Sequence, residues 1–352
     1  MPKSSHFRHS QSQQISEVGY IDGEPVYEIS IQSAGGARAK ILTLGGIIRT
    51  LEIPLHDGTF QDVVLGYESL EHYAADNAYI GAIVGRYANR IANGRYKSNK
   101  KLVQTSRNEN GTTTLHGGKI GFSKRVWRVT EVAERSVTLR LLSLDGDQGF
   151  SGTLIVHCKY AFVGTREFRI EFTAKTDIAS PVNLAQHAYF NLDGSSDISN
   201  HVLQIYADRF TPTTSDLIPT GEIDDVTGTA FDFREGRVLQ DSDRRYDCNL
   251  VLNQAKASRE SQSAAVLRSK LNDLTMKIST TKPGLQFYDG HLLDVKKGAK
   301  EGVSYGSRAG LCLETQFFPD SPNHTAFPDT ILRPGNTYHH VTTLEFSDVK
   351  PD

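Results

Sequence analysis

The chain has 352 residues, a formal net charge of −2 and 23% charged residues. A chain of this length can form one large domain or two ordinary ones, and it can bury a large core. Its near-neutral balance argues against nucleic acid or a membrane surface as a partner, and no segment approaches the ~18 consecutive apolar residues of a membrane-spanning helix.

The N-terminus and the cysteines indicate in which cellular compartment the protein is found. Residues 1–16 are predicted to be a disordered tail, because the basic residues there are not followed by the apolar segment of a secretory signal. Three widely spaced cysteines, Cys158, Cys248 and Cys312, indicate neither a disulfide framework nor a zinc ribbon. Reduced thiols favour a cytoplasmic protein. Residues 17–350 contain no repeat, low-complexity block or linker, so we predict a single domain there.

Alternation of apolar and polar residues along the chain predicts an all-β protein. The alternating segments are short and end at turn residues, as at Asp22 and Gly23 and at Asp57 and Gly58, which is typical of hairpins. A helical period is predicted only over the short segment 71–77. The predicted strands are 27–32, 40–44, 47–54, 126–144, 153–163, 167–175, 202–206, 264–267, 274–280, 285–288 and 339–346.

One long segment, residues 211–237, lacks periodicity and is rich in Thr, Pro, Gly and Asp. It is predicted to be a long ordered loop, and because such loops usually line a functional site, we expect this one to do so. The strands before and after it indicate one large antiparallel β domain with two packed sheets.

The segment 310–319 places an acidic residue where an acid is unfavourable. Its leucines alternate with Cys312, Glu314 and Gln316, which is the period of a strand and puts these three side chains on one face. Glu314 therefore lies among apolar neighbours. Burial there raises the pKa of a carboxylate and is unfavourable unless a partner or a chemical role compensates.

A second segment, residues 182–192, supplies a candidate partner for Glu314. Read with period two, it puts polar side chains on one face and apolar side chains on the other. The bland interpretation is a buried structural ion pair, which also perturbs pKa values. So many inward polar groups are unusual in a plain core, so we expect the two polar faces to meet at one pocket. The polar face of this segment consists of Asn183, His187, Tyr189 and Asn191.

Three further clusters contain polar residues whose roles stay open on spacing alone. Arg86 and Arg90 lie in a run of small and apolar residues, where a paired structural charge is favoured over a fork of donors for ligand oxygens. His116 precedes two glycines, which allow a close backbone approach and leave both a binding role and a surface role open. Asp247 at the start of a strand is ordinarily a turn or edge acid.

Several common motifs are missing from the sequence. It contains no G-x-S-x-G, H-E-x-x-H, C-x-x-C, G-x-x-x-x-G-K or G-x-G-x-x-G, which disfavours serine hydrolase, zinc protease, NTPase and dinucleotide-binding functions. Adjacent His339 and His340 point to opposite faces of a strand, and no histidine pair has helical spacing on a helix. We therefore predict no metal site.

The candidate groups suit a sugar as ligand. A pocket with one acid, histidines, an arginine, an aspartate and amides offers the many polar partners that sugar hydroxyls need. A glycoside hydrolase requires two carboxylates beside the scissile bond, and using Glu314 with Asp247 in that way leaves His187 without a role. A carboxylate with a histidine suits proton transfer on a free sugar instead.

A set of motifs resembles those of the galactose mutarotase (aldose 1-epimerase) family, over about residues 39–346. They lie at residues 85–94 (GRYANRIANG), 115–118 (LHGG), 145–149 (DGDQG), 183–192, 210–213, 218–222, 283–288 and 313–324. Their number and order make chance an implausible explanation. The resemblance implies a β-supersandwich of large antiparallel sheets with few short helices, and an isomerase without a metal or cofactor.

The resemblance also implies roles for individual residues. Glu314 is expected to be the general base and His187 the general acid that interconvert the α and β anomers of free aldohexoses such as galactose or glucose. We expect burial to raise the pKa of Glu314 and the nearby carboxylate to keep His187 charged. The residues matching positions that hold sugar oxygens are Asn89, Arg90, His116, Asp247 and Gln286.

Two other functions fit the same scaffold. A non-catalytic sugar-binding or regulatory protein is possible in principle, although no residue needed for the chemistry is missing. A mutarotase for phosphorylated hexoses needs extra cations at the pocket mouth, for which Lys124, Arg125 and Arg128 are candidates. In each case the expected ligand is a monosaccharide, and the sequence leaves monomer and homodimer open.

Overall fold

The computed structural model describes residues 14–98, 101–240, 245–253 and 261–348. Helical elements in this part of the chain are short: α1 (Leu70–Ala75) and 3-10 turns at Ala92–Gly94, Phe122–Lys124, Asp147–Gly149, Lys300–Gly302 and Ser321–Asn323. Within the described ranges, no helix has the length and apolar character needed to span a membrane.

The strands of the described residues are numbered in chain order. The first fourteen are β1 (Ile15–Ile21), β2 (Glu24–Gln32), β3 (Arg38–Leu42), β4 (Ile47–Pro54), β5 (Phe60–Asp62), β6 (Ala82–Val84), β7 (Arg90–Ile91), β8 (Arg95–Ser98), β9 (Lys101–Gln104), β10 (Thr114–Leu115), β11 (Arg128–Ala133), β12 (Ser136–Ser143), β13 (Leu154–Phe162) and β14 (Glu167–Thr176). The others are β15 (Ser180–Pro181), β16 (Ala185–His187), β17 (Tyr189–Phe190), β18 (His201–Ile205), β19 (Arg209–Thr211), β20 (Asp224–Asp225), β21 (Arg237–Val238), β22 (Asp247–Val251), β23 (Gln262–Ser269), β24 (Thr275–Thr280), β25 (Gly284–Tyr288), β26 (Leu311–Gln316), β27 (Ile331–Leu332) and β28 (Tyr338–Ser347).

Three antiparallel sheets contain most of these strands. A nine-stranded sheet has the order β11-β12-β13-β14-β28-β24-β23-β18-β21, and a six-stranded sheet has the order β17-β26-β25-β22-β19-β20. Strands β1 to β5 form a five-stranded meander. The predicted all-β fold, with large antiparallel sheets and few short helices, is therefore confirmed.

Most predicted strands are present with small shifts at their ends, but one prediction is wrong. The segment 126–144 is not one strand, because β11 and β12 form a hairpin with a turn at Glu134 and Arg135. That turn contains none of the Gly, Pro, Asn or Asp residues that mark most turns, so the pattern hid it. Residues 1–13 of the predicted tail lie outside the described residues, and β1 begins at Ile15.

The long loop at residues 211–237 was expected to line a site, and that expectation is wrong. None of its residues lines the cleft described below. Val226 and Phe233 are instead buried in the main hydrophobic core, and Asp224 and Asp225 pair with β19. The loop stays ordered because it buries apolar side chains, which stabilise it by about 1.5–3 kcal/mol each.

The main core lies between the nine-stranded and six-stranded sheets, and this arrangement positions the site. Ile170 and Phe172 of β14 face Leu313 of β26 across the sandwich. Because successive residues of a strand point to opposite faces, Cys312 and Glu314 of β26 point away from this core. The six-stranded sheet thus packs on one face and presents polar side chains on the other.

Candidate active site

A cleft of about 610 Å³ lies on the polar face of the six-stranded sheet. Its volume falls within the roughly 300–1,000 Å³ that is usual for small-ligand sites. Strands β22, β25 and β26 contribute its base, and residues 75–79 and 292–297 contribute to its wall. Six of the seven site residues predicted from the sequence line this cleft, namely Asn89, Arg90, His116, His187, Asp247 and Glu314.

His187 and Glu314 face each other in the cleft, as the period-two patterns predicted. The His187 Nε2 atom lies 3.6 Å from Glu314 Oε1, and the two side chains are 6% and 2% exposed. On the other side of the imidazole, Nδ1 lies 3.5 Å from the Cys312 sulfur. The second carboxylate oxygen, Glu314 Oε2, is buried and has no hydrogen-bond partner among the described residues. A buried oxygen of this kind can accept a proton from a ligand.

Burial disfavours charge on both members of this pair. It raises the pKa of Glu314 well above that of an ordinary glutamate, and the nearby charge of Asp247 adds to this while Arg90 opposes it. Burial also lowers the pKa of His187 to about 4. The expectation for Glu314 is confirmed, but the expectation that the carboxylate keeps His187 charged is wrong, because desolvation of the imidazole is the largest influence on its pKa.

His116 is held by the backbone of Asn89 and presents one nitrogen to the cleft. The Asn89 N–H donates to His116 Nδ1 at 3.2 Å, and the His116 N–H donates to the Asn89 carbonyl at 3.0 Å. Burial, together with His187 and Arg90, lowers the pKa of His116 well below 6.5. A neutral imidazole whose Nδ1 accepts a hydrogen bond carries its proton on Nε2, so His116 is a donor toward the cleft.

Steric crowding explains why the residue after His116 is a glycine. Gly117 has φ +87°, and a Cβ there would lie 1.9 Å from the Gly85 carbonyl oxygen. The close approach that the two glycines predicted is therefore to the chain itself. It fixes the turn that carries His116 against the segment that leads to Asn89 and Arg90.

Arg90 lies at one end of a polar network along the cleft. Its Nη1 atom is 3.6 Å from Asp247 Oδ2, and the other carboxylate oxygen of Asp247 accepts a 2.6 Å hydrogen bond from Gln286 Nε2. Gln316 Nε2 in turn donates to Gln286 Oε1 at 3.2 Å. Gln286, the seventh predicted site residue, is buried beside Asp247 and does not line the cleft, so a contact of Gln286 with a sugar stays a prediction. On the far side of the guanidinium, Glu109 accepts two hydrogen bonds.

Sequence reasoning missed three groups that shape the cleft. Glu109 lies one residue before the cluster that contains His116, and its separation of 19 residues from Arg90 gives no sequence signal of their contact. The Tyr79 ring is tilted against the rings of His116 and His187, with centroids 4.5 and 5.7 Å away. Tyr288 also lines the cleft. Aromatic rings of this kind offer flat apolar surface to the C–H face of a sugar.

Some of the polar residues singled out in the sequence form hydrogen bonds with backbone groups and do not line the cleft. Asn183 accepts the Phe317 N–H at 2.9 Å and donates to the Phe317 carbonyl at 3.2 Å, and Asn191 donates to two backbone carbonyls. Neither lines the cleft, so the expectation that the whole polar face of 182–192 meets the pocket is wrong for these two. Arg86, as predicted, is structural: it is 1% exposed and donates to carbonyls that include those of Ser151 and Gly152.

The cations nominated for a phosphate group do not reach the cleft. Lys124 donates to the Ala74 carbonyl, Arg125 pairs with Asp147 at 2.7 Å, and Arg128 is exposed on β11. None of the three lines the cleft, whereas two other cationic residues, Lys296 and Lys297, line its outer part. In the described ranges, no group of three His, Cys, Asp or Glu side chains is placed to hold a metal ion.

The sequence as a whole matches a known family. The family profile described as Aldose 1-epimerase matches residues 27–345. The chain belongs to the aldose 1-epimerase family. It is 39% identical over 337 residues to the aldose 1-epimerase of Escherichia coli K12, covering 92% of this chain and 96% of that protein. It is also 39% identical over 317 residues to human galactose mutarotase, covering 88% of this chain and 91% of that protein.

Solved structures agree with this aldose 1-epimerase assignment. The GalM/aldose epimerase homologue from C. elegans superposes with a TM-score of 0.86 at 33% identity, covering 92% of this chain and 99% of that one. Galactose 1-epimerase from Lactobacillus acidophilus shares the fold, with a TM-score of 0.82 at 24% identity over 95% of this chain and 98% of that one. The predicted family and its isomerase activity at the anomeric carbon are confirmed.

Proposed function

We propose that this aldose 1-epimerase interconverts the α and β anomers of free aldohexoses, galactose or glucose, with Glu314 as general base and His187 as general acid. The observation that carries these roles is the unpartnered, buried Glu314 Oε2 atom beside an imidazole whose Nε2 lies 3.6 Å from Oε1. In a buried structural ion pair both carboxylate oxygens are normally hydrogen-bonded, whereas Glu314 Oε2 is not.

The reaction requires one mobile proton within this pair. Burial of both groups favours the neutral acid and the neutral imidazole, so the proton resides on Glu314 before a sugar binds. A hydrogen bond from the anomeric hydroxyl to Oε2, with the charge of Arg90, favours the carboxylate. The proton then passes to His187 Nε2, and the pair reaches the charge state that ring opening needs.

Ring opening follows as a balanced transfer of protons. Glu314 removes the proton of the anomeric hydroxyl, the C1–O5 bond breaks as the aldehyde forms, and His187 gives its proton to O5. Rotation about C1–C2 exposes the other face of the aldehyde, and the same two groups act in reverse on closure. General acid–base steps of this kind contribute ~10²–10⁴-fold each.

The remaining groups hold the sugar while the ring is open. His116 Nε2–H and Arg90 Nη1 donate to sugar oxygens, and Arg90 stabilises the oxygen that carries transient negative charge. Asp247 accepts from a hydroxyl, with Gln286 fixing its orientation at 2.6 Å. The Asn89 Oδ1 atom already accepts the Arg90 N–H at 2.9 Å, so its amide nitrogen is the group left for the sugar.

The pH dependence of kcat/KM follows from the single mobile proton. We expect kcat/KM to stay nearly constant from about pH 7 to about pH 5. The pKa of His187 is about 4, so the pair of Glu314 and His187 gains a second proton only near that pH. Below that, both groups are protonated and no base remains. Above the raised pKa of Glu314, the pair loses its one proton and the acid is missing. Initial rates between about pH 4.5 and pH 8 test this.

An exposed imidazole behaves differently in the same assay. Because the raised pKa of Glu314 keeps that group protonated, an imidazole with the ordinary pKa of about 6.5 gives the pair a second proton below that pH, and the rate falls tenfold for each pH unit. A decline that begins near pH 6.5 is therefore the result that contradicts the buried state of His187. Circular dichroism at each pH separates loss of catalysis from loss of folded protein.

Polarimetry on freshly dissolved α-galactose, α-glucose and α-glucose 6-phosphate tests the proposed substrate class. We expect the protein to accelerate the approach of both free sugars to their equilibrium rotation. Besides Glu314, four carboxylates line the cleft against three cations, and this excess of negative charge should make the phosphorylated sugar react more slowly. Calorimetric sugar binding without faster mutarotation identifies a non-catalytic binding protein, and faster turnover of glucose 6-phosphate identifies a hexose-phosphate mutarotase.

We also propose a setting for this activity. The ligand is a monosaccharide rather than nucleic acid or a membrane, the protein is cytoplasmic, and it acts as a monomer or homodimer. Residues 17–350 form its single domain. Size-exclusion chromatography with light scattering measures the oligomeric state directly.

A further inference from the structure

The contact between Glu109 and Arg90 is the best-aligned ion pair in the cleft. Arg90 Nε donates to Glu109 Oε2 at 2.8 Å, and Arg90 Nη2 donates to Glu109 Oε1 at 2.8 Å. This side-by-side arrangement uses one whole edge of the guanidinium. Bidentate contacts of this kind add directional constraint as well as energy, because the carboxylate and the guanidinium must be coplanar.

The bidentate contact determines which part of Arg90 reaches the sugar. With Nε and Nη2 bound to Glu109, Nη1 is the nitrogen left toward Asp247, whose Oδ2 atom is 3.6 Å away. The Arg90 side chain is 9% exposed, so water cannot easily replace Glu109 as its partner. Without Glu109, the guanidinium is free to rotate toward Asp247 and form a close pair with it.

Glu109 can hold Arg90 because its own backbone is fixed. The Glu109 N–H donates to the Thr113 carbonyl at 3.1 Å, and the Thr113 and Thr112 N–H groups donate to the Glu109 carbonyl at 3.0 and 3.1 Å. Asn110 and Gly111 inside this turn both have positive φ, of 50° and 68°. The closed turn leads directly into β10, which pairs Leu115 with Arg90. The support and the supported residue thus belong to one rigid unit.

We propose that Glu109 is a positioning residue that holds Arg90 Nη1 where the sugar oxygen acquires charge during ring opening. This inference rests on the proposed role of Arg90 and goes beyond it, because Glu109 acts on the reaction through Arg90 and not by contact with the sugar. An interaction that depends on geometry in the transition state loses much of its effect when the donor moves by about 1 Å.

Glu109 also balances the charge that Glu314 experiences. The charged or titratable groups that interact with Glu314 include His187 on β16, Asp247 on β22 and Arg90 on β7, together with Tyr189 on β17 and Cys312 on β26 itself. Arg90 lowers the pKa of Glu314, and its effect is limited while Glu109 shares its charge. Neutralising Glu109 leaves more of this positive charge acting on Glu314, so the pKa of Glu314 should fall.

A double-mutant cycle with Glu109→Gln and Arg90→Ala tests the inference by polarimetry on α-galactose. We expect Glu109→Gln alone to lower kcat by about 10- to 100-fold with a smaller change in KM, and to move the alkaline limb of kcat/KM to lower pH. In the Arg90→Ala background, the same Glu109→Gln change should have no further effect on kcat, because the group through which Glu109 acts is gone.

A matched control separates positioning from general loss of an ion pair. Asp232 makes the same bidentate contact with Arg234, at 2.9 and 2.7 Å, and lies outside the cleft. Asp232→Asn should leave kcat, KM and the pH profile unchanged. Equal losses from Glu109→Gln with and without Arg90, or wild-type kcat in a folded Glu109→Gln protein, overturn the inference while leaving the mutarotase activity intact. An inactive wild-type protein refutes the proposed function itself.

Discussion

Replacing Glu314 with glutamine is expected to lower kcat by about 10⁴-fold, toward the rate of spontaneous mutarotation. The amide has nearly the same shape as the carboxyl group and carries no charge, so it fits the buried strand β26. It cannot take the proton of the anomeric hydroxyl, so ring opening loses its base. Galactose binding should change little, because the groups proposed to hold the sugar stay in place. Polarimetry and calorimetry on the same preparation measure the two quantities.

The same acid-to-amide change at a different buried carboxylate is the control for Glu314→Gln. Glu28 is 8% exposed and accepts a 2.5 Å hydrogen bond from Arg49 on the five-stranded sheet, outside the cleft. Glu28→Gln can reduce the unfolding temperature, yet its kcat should match that of the wild type. Full activity in a folded Glu314→Gln protein is incompatible with Glu314 as the base.

Replacing His187 with glutamine is the second change with a large expected effect. Glutamine can donate a hydrogen bond to the ring oxygen, but it cannot transfer a proton, so kcat should fall by about 10²–10⁴-fold. The variant also removes the pH-independent region between about pH 5 and 7, because the one mobile proton no longer has a second site. Initial rates by polarimetry across this range check both effects.

A second histidine provides the comparison for His187→Gln. His340 has its Nδ1 atom 3.2 Å from Thr281 Oγ1, away from the cleft, and His340→Gln should keep wild-type kcat. The double variant Glu314→Gln with His187→Gln should be about as slow as the slower single variant, since groups that act as one unit lose their effect together. Independent, multiplicative losses in the double variant argue against one shared proton.

The agreement between sequence and structure is best where strand periodicity controls the direction of a side chain. Alternation in β26 put Glu314 and Cys312 on the same face, and alternation in residues 182–192 put His187 opposite the apolar side chains. Both placements hold, because each strand buries its apolar face in a sandwich core. The strand is interrupted at Ala188, between β16 and β17, yet Tyr189 beyond the interruption still lines the cleft, whereas Asn183 and Asn191 near the two ends of the segment do not.

Asn183 and Asn191 illustrate the limit of that reasoning. Both are polar and inward-facing, as predicted, but their amides satisfy backbone groups at the ends of irregular segments. A pattern of polar and apolar residues records that a side chain is inside, not which partner it finds there. The mistaken expectation for the loop at 211–237 has the same origin, since an aperiodic sequence does not reveal that Val226 and Phe233 are buried.

By itself, the sequence determined the all-β class, the family, and the identity of the acid and the imidazole that face each other. These follow from local periodicity and from short motifs, which are properties of neighbouring residues. Only the tertiary structure decided that Glu109 supports Arg90, that Gln286 lies beside Asp247 away from the cleft, and that His187 is buried enough to be neutral. Those outcomes depend on distances between segments far apart in the chain and on the water that their packing excludes, and neither quantity is encoded in any single stretch of residues.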